Sequence, residues 1–120
     1  MTNLIRGTIV DVDLNPTVGS ETNKIRPCVI VTNDVYNNNN NLPIFQVVPI
    51  TGWSKRKEEI IHNVVIVPNP INGLTKKSVA DCIQTRPIDM SYRFVGIKGN
   101  VSDDVLAEID QALLTVFELD

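Results

Sequence analysis

With 120 residues, of which 42% are hydrophobic and 21% charged, the chain has the make-up of a soluble globular protein with enough length for a true core. One domain over residues 1–120 is expected. A net charge of −3 argues against a protein that coats nucleic acid non-specifically, although bases gathered mid-chain (Lys24, Arg26, Lys55, Arg56, Lys57, Lys76, Lys77, Arg86) permit a local cationic site. No apolar run reaches the ~18 residues of a membrane span, and residues 1–6 lack the apolar core of a signal peptide, so a cytoplasmic protein is expected.

The first strand pattern covers residues 7–13, where Val10 and Val12, with Leu14 just beyond, alternate with Asp11 and Asp13. A polar loop containing Gly19 follows. It delivers Arg26 to the mouth of a second strand, 27–32, beside Lys24 and Glu21. Within that strand, Cys28-Val29-Ile30-Val31 is the continuous apolar run of a buried strand. Pro27 at the strand start costs no ladder bond, and an arginine there offers phosphate or carboxylate a charged fork. Residues 37–41, all asparagine, predict a solvated loop tip.

Further strands are expected at 44–50, 63–67 and 78–84, with another at 94–97, separated by loops at 51–57 and 68–73. Short strands at this spacing suggest a small barrel or sandwich. The last segment changes period: Val105, Ile109, Ala112, Leu113, Val116 and Phe117 make one helical stripe. Ser102 is its natural N-cap, Asp103 and Asp104 suit the positive helix end, and Val101 and Leu106 have staple spacing. The expected fold class is α+β: a strongly bent antiparallel sheet with a C-terminal amphipathic helix packed on it.

Common catalytic signals are missing. There is no phosphate-cradling glycine loop, no CxxC and no HExxH, and one histidine cannot build a common zinc site, so no metal or cofactor is expected. Cys28 and Cys82 are read as small buried hydrophobes, and His62 as a loop or strand-edge residue, in preference to a Cys–His nucleophile pair. What remains is polar residues at strand ends: Arg26, Thr51, and the Gln84–Arg86 pair. If the sheet gathers these ends, they form a shallow site with cations, a hydroxyl and an amide; otherwise they are capped strand ends and surface charge.

Several blocks, in order, resemble the MazF/PemK toxin family. The most specific covers residues 6–21, from Arg6-Gly7-Thr8 to Val18-Gly19-Ser20-Glu21. Others are Lys24-Ile25-Arg26-Pro27-Cys28, Val48-Pro49-Ile50-Thr51, Gly73-Leu74-Thr75-Lys76-Lys77-Ser78, Gln84-Thr85-Arg86-Pro87, and Val101-Ser102-Asp103-Asp104 before the helix. The resemblance implies an SH3-like antiparallel β-barrel that forms a homodimer. It further implies a metal-independent endoribonuclease that cuts single-stranded RNA at short sequences and is restrained by a cognate antitoxin. It maps active-site roles onto Arg26 and Thr51.

Around that pair, Glu21, Lys24, Gln84 and Arg86 are candidate substrate contacts. Glu21 is the nearest candidate base by sequence, or else a loop carboxylate paired with Lys24. Trp53 could stack on an unpaired base while Lys55, Arg56 and Lys57 track the backbone; the alternative is a solvated loop. One departure stands out. Family members often carry an acid immediately before the glutamine, where this chain has Ile83; Asp81, two residues earlier, would share its strand face. The rival function is a non-catalytic barrel that binds an antitoxin peptide or blocks a partner, since a relative of this barrel acts on DNA gyrase.

Overall fold

The structure, a computed structural model, describes residues 4–38 and 41–119. Residues 1–3 of the N-terminal stretch, Asn39 and Asn40 of the asparagine loop, and the terminal Asp120 lie outside the described residues. In chain order the elements are β1 (Thr8–Asp13), β2 (Ile25–Ile30), α1 (Asp34–Asn37), β3 (Ile44–Gly52), α2 (Lys55–Glu58), β4 (Asn63–Ile66) and β5 (Ser78–Asp81). A 3-10 turn (Cys82–Gln84) then leads to β6 (Arg86–Asp89), α3 (Met90–Arg93), β7 (Phe94–Asn100) and α4 (Asp103–Phe117).

All pairings are antiparallel, in the order β4-β5-β3-β2-β1-β7, with β6 also on β3. Strand β3 organises the bend. One of its edges carries β2, with Cys28 opposite Pro49; the other is shared by β6, over Ile44 to Val47, and by β5, over Ile50 to Gly52. The sheet wraps around apolar side chains without closing between β4 and β7. Val10, Val12, Leu14, Cys28 and Ile30 lie in one buried cluster; Ile9 and Val29 lie in a second, with Ile109 and Ala112 of α4. The strand alternation in β1 and the double burial of β2 follow from these two clusters.

Helix α4 lies on β4 and the 3-10 turn. Ser102 Oγ accepts from the Val105 N–H at 3.2 Å, and Val101 and Leu106, at staple spacing, both lie against Gly7. Phe117 departs from the expected buried stripe at 55% exposure: it borders an open groove with Val31, Thr32, Gln46 and Leu113. Each one-turn helix is capped by a side chain before it: Asn33, Ser54 and Asp89. The expected strand 78–84 is broken: it ends at Asp81, and the 3-10 turn steps the chain from β5 to β6 along the same edge of β3.

Candidate active site

Arg26 and Thr51 meet at one end of the sheet. Continuing the β2–β3 register by two residues beyond Cys28↔Pro49 sets Arg26 across from Thr51, and directly opposed residues share a face. Both line a cavity of about 160 Å³ together with Gly52, Leu74, Thr75, Lys76, Ser78 and Lys98. No acidic residue is among its lining residues, so the surface presents cations and hydroxyls. The Arg26 Nε donates to the Asn23 carbonyl at 3.1 Å; among the described residues its Nη atoms make no hydrogen bond.

Two of these cations were not anticipated from the sequence as site residues, and each arrives by a backbone device. Ile9 pairs with Gly99 and Val10 with Ile97, so Lys98 is the extra residue of a β-bulge, the irregularity that re-aims a side chain. It also pairs with Asp11, Nζ to Oδ2 at 3.6 Å. Lys76 lies near the end of the loop between β4 and β5. Buried Asn72 organises that loop, accepting from Asn69 and Leu74 N–H at 3.1 and 3.0 Å and donating to the Val67 carbonyl at 2.9 Å. The Lys76 ammonium then lies over Gly52, 3.3 Å from where a Cβ would stand.

The other expected residues are placed differently. Glu21, Gln84 and Arg86 line a separate cavity of about 550 Å³ with Ser20 and Ile83. Glu21 Oε1 accepts from the Val18 N–H at 2.7 Å and makes no ion pair with Lys24 among the described residues. Gln84 uses both ends of its amide on the β1–β2 loop, accepting from Thr22 N–H at 3.1 Å and donating to the Ser20 carbonyl at 3.0 Å. Arg86 donates to the Leu14 carbonyl (3.1 Å), and Arg93 to those of Asp13 and Asn15 (3.0 and 2.6 Å). These three side chains fasten the loop that precedes Arg26.

Lys24, with φ of +68°, closes the base of that loop through its backbone, donating to Asn15 Oδ1 at 3.2 Å and accepting from Leu14 N–H at 2.9 Å; its side chain is exposed. Trp53 donates to Glu58 at 2.8 Å, and the Lys77 ammonium stands 4.2 Å from its ring centroid, which covers one face of the indole. Lys55 and Arg56 are exposed on α2. Asp81 faces His62 at 3.4 Å, and the 3-10 turn ends the strand alternation, so Asp81 and Ile83 do not share a strand face.

Both cysteines are fully buried, and burial pushes their thiols from the usual 9.0 up to about 12. At pH 8 the thiolate fraction is then on the order of 10⁻⁴, so neither serves as a nucleophile. Iodoacetamide at pH 8 is expected to leave the native protein unmodified and to alkylate both thiols after denaturation, as intact mass would show. Between pH 9.0 and about 12 the unfolded chain binds fewer protons than the native one, so stability falls as pH rises through that window.

A family model described as PemK-like, MazF-like toxin of type II toxin–antitoxin systems matches residues 5–117, a span that holds both cavities. The chain belongs to this toxin family. A PemK/MazF relative, endoribonuclease MazF9 of Mycobacterium tuberculosis, is 34% identical over 111 residues, covering 90% of this chain and 91% of the relative. The crystal structure of MazF (Form-I) from Deinococcus radiodurans superposes with a TM-score of 0.82 at 22% identity over 98% of this chain and 99% of that one. A MazE–MazF structure (Form-II) from the same organism gives 0.75 at 21% identity over 100% of both chains. The bent sheet with its C-terminal helix is thus the PemK/MazF fold, consistent with an SH3-like barrel. Among the described residues no helix is long and apolar enough to cross a membrane.

Proposed function

We propose that the chain is a toxin-type endoribonuclease, one domain over residues 1–120, that cuts single-stranded RNA, mRNA in particular, at short sequences in the cytoplasm without a metal. The observation that carries this reading is the cavity where Arg26 and Thr51 converge with Lys76, Lys98 and Ser78, in a family whose relative MazF9 is named an endoribonuclease. The 2′-oxygen attacks the adjacent phosphorus, a 2′-O–P bond forms and the P–O5′ bond breaks. A cyclic phosphate and a free 5′-hydroxyl result, the proton lost from the 2′-oxygen being balanced by one gained at the 5′-oxygen. Charge builds on the non-bridging oxygens during attack, and donors fixed in advance favour that state over the ground state. Arg26 supplies a planar fork for those oxygens, Thr51 a hydroxyl, and Lys76 a further positive charge.

The same cations suit an acidic antitoxin segment competing with RNA, and a MazE–MazF structure of this fold supports a cognate antitoxin as the protein partner. The half-exposed apolar side chains of β7, Phe94, Val95 and Ile97, support a homodimer. A relative named as an endoribonuclease favours the enzyme over the non-catalytic binding barrel. The test is incubation of purified protein with a long unstructured RNA in EDTA, followed by end mapping. Discrete cuts are expected, with 5′ ends that polynucleotide kinase labels without prior phosphatase treatment. Intact RNA, from protein shown to be folded and free of antitoxin, would transfer the assignment to the binding barrel.

A further inference from the structure

Lys57 is held through both its backbone and its side chain. Its N–H donates to the α2 cap, Ser54 Oγ, at 3.1 Å, and its carbonyl accepts from Asn63 Nδ2 at 3.0 Å. Its ammonium donates to the Gly52 carbonyl at 2.9 Å and to Thr51 Oγ1 at 3.4 Å. Its helix neighbours Lys55 and Arg56 are exposed, and their side chains make no hydrogen bond or ion pair among the described residues. Fixing a lysine side chain at its tip gives up much of its rotamer freedom. Here the tip reaches one of the two residues that define the candidate active site, although Lys57 itself does not line the cavity.

We propose that Lys57 is a positioning residue for RNA cleavage: through Thr51, it fixes a hydroxyl as a hydrogen-bond donor aimed into the cationic cavity. The inference rests on the ribonuclease reading above. An ammonium has donors only, so the contact between Nζ and Oγ1 has one polarity, with Oγ1 accepting. The Gly52 carbonyl anchors the same ammonium and fixes its direction. One lone pair of Thr51 is thereby engaged and its single proton turns away from Lys57. Across the cavity stand Arg26 and Lys76, which are donors themselves, so the proton is left for an incoming acceptor. During cleavage that acceptor is a non-bridging phosphate oxygen, and its charge grows toward the transition state. An adjacent positive charge also makes a hydroxyl a better donor. The device therefore acts on the chemical step. A lysine that merely tracked the RNA backbone would act on binding.

The test measures single-turnover cleavage, with enzyme in excess, for wild type, Lys57→Met, Thr51→Val and the double variant across RNA concentrations. Lys57→Met is expected to lower the maximal rate about 10–100-fold, the scale of a misplaced catalytic group. The half-saturating RNA concentration should move by less than about threefold. In the Thr51→Val background, adding Lys57→Met should cost under about threefold more, because the group it positions is already gone. Lys57→Arg, which keeps a charged donor, should recover part of the rate. Thermal midpoints are read alongside, and if Lys57→Met fails to fold, Lys57→Gln replaces it in the same cycle. An equal cost in both backgrounds, or a loss confined to binding, overturns the inference. Absence of cleavage by wild type would instead overturn the ribonuclease reading, so the two failures are distinct.

Discussion

Arg26→Ala is expected to lower kcat/KM for RNA cleavage by about 10²–10³, the scale for removal of one preorganised donor at a developing oxyanion. The unfolding midpoint should barely move. Arg26 is half-exposed, and its one side-chain hydrogen bond among the described residues, from Nε to the Asn23 carbonyl, reaches only three residues back into the preceding loop. A surface residue with so little structural attachment costs little when truncated. Arg26→Lys is the more searching variant. It keeps the charge and removes the fork, so a site that needs only positive potential would tolerate it. A site that needs two parallel N–H groups on one phosphate would not. We expect Arg26→Lys to remain at least about tenfold below wild type, since two aligned donors are replaced by one point charge. Single-turnover rates with thermal melts on the same preparations check both variants. Cleavage retained by a folded Arg26→Ala protein would remove Arg26 from the chemistry and turn attention to Lys76 and Lys98.

The features legible in the sequence are those written locally. The period change at residue 102, the Ser102 cap and the Val101–Leu106 staple require no knowledge of the rest of the chain, and α4 begins where they say. The Pro27 boundary is off by two residues: β2 begins at Ile25, because β1 extends the ladder back through Arg26 opposite Val12. Arg26 and Thr51 stand out because strand ends are where a sheet exposes polar groups, although that they converge depends on the β2–β3 register, which no local pattern specifies. Strand β6 was hidden for a different reason. It has four residues, contains Pro87, and exists because Gln46 and its neighbours offer a free edge of β3. Gln84 looked like a site residue since an amide at a strand end is indistinguishable, in sequence, from one that ties down a loop 62 residues away. Lys98 carried no signal at all. Its aim comes from a bulge, and a bulge is a property of two strands together.

Gly73→Ala tests how the site is assembled rather than how it reacts, and a large loss of stability is expected. Gly73 sits at φ +69° with its missing Cβ only 2.2 Å from the Lys98 carbonyl oxygen; Gly99, on the facing strand, would meet the Ile71 carbonyl at 2.3 Å. The two glycines let the loop between β4 and β5 lie directly on β7, where the Asn100 N–H donates to the Ile71 carbonyl at 3.0 Å. A side chain at Gly73 adds left-handed backbone strain to an overlap that can be relieved only by moving loop or strand, so about 2–5 kcal/mol is expected. For a chain of this size that corresponds to a midpoint roughly 10–20 °C lower. Gly19→Ala separates the two causes. Gly19 also has positive φ, at +58°, but nothing lies within 4 Å of where its Cβ would be. That variant should lose only the backbone part, about 1–2 kcal/mol, so the difference between the two variants measures the steric contact. Gly73→Ala should also cleave more slowly at temperatures where it remains folded. The loop it displaces carries Leu74, Thr75 and Lys76 into the cavity, and Lys98 lies on the strand it pushes. Equal losses of stability in the two variants would mean that the loop and β7 yield without cost, and that the placement of Lys76 over Gly52 does not depend on their close approach.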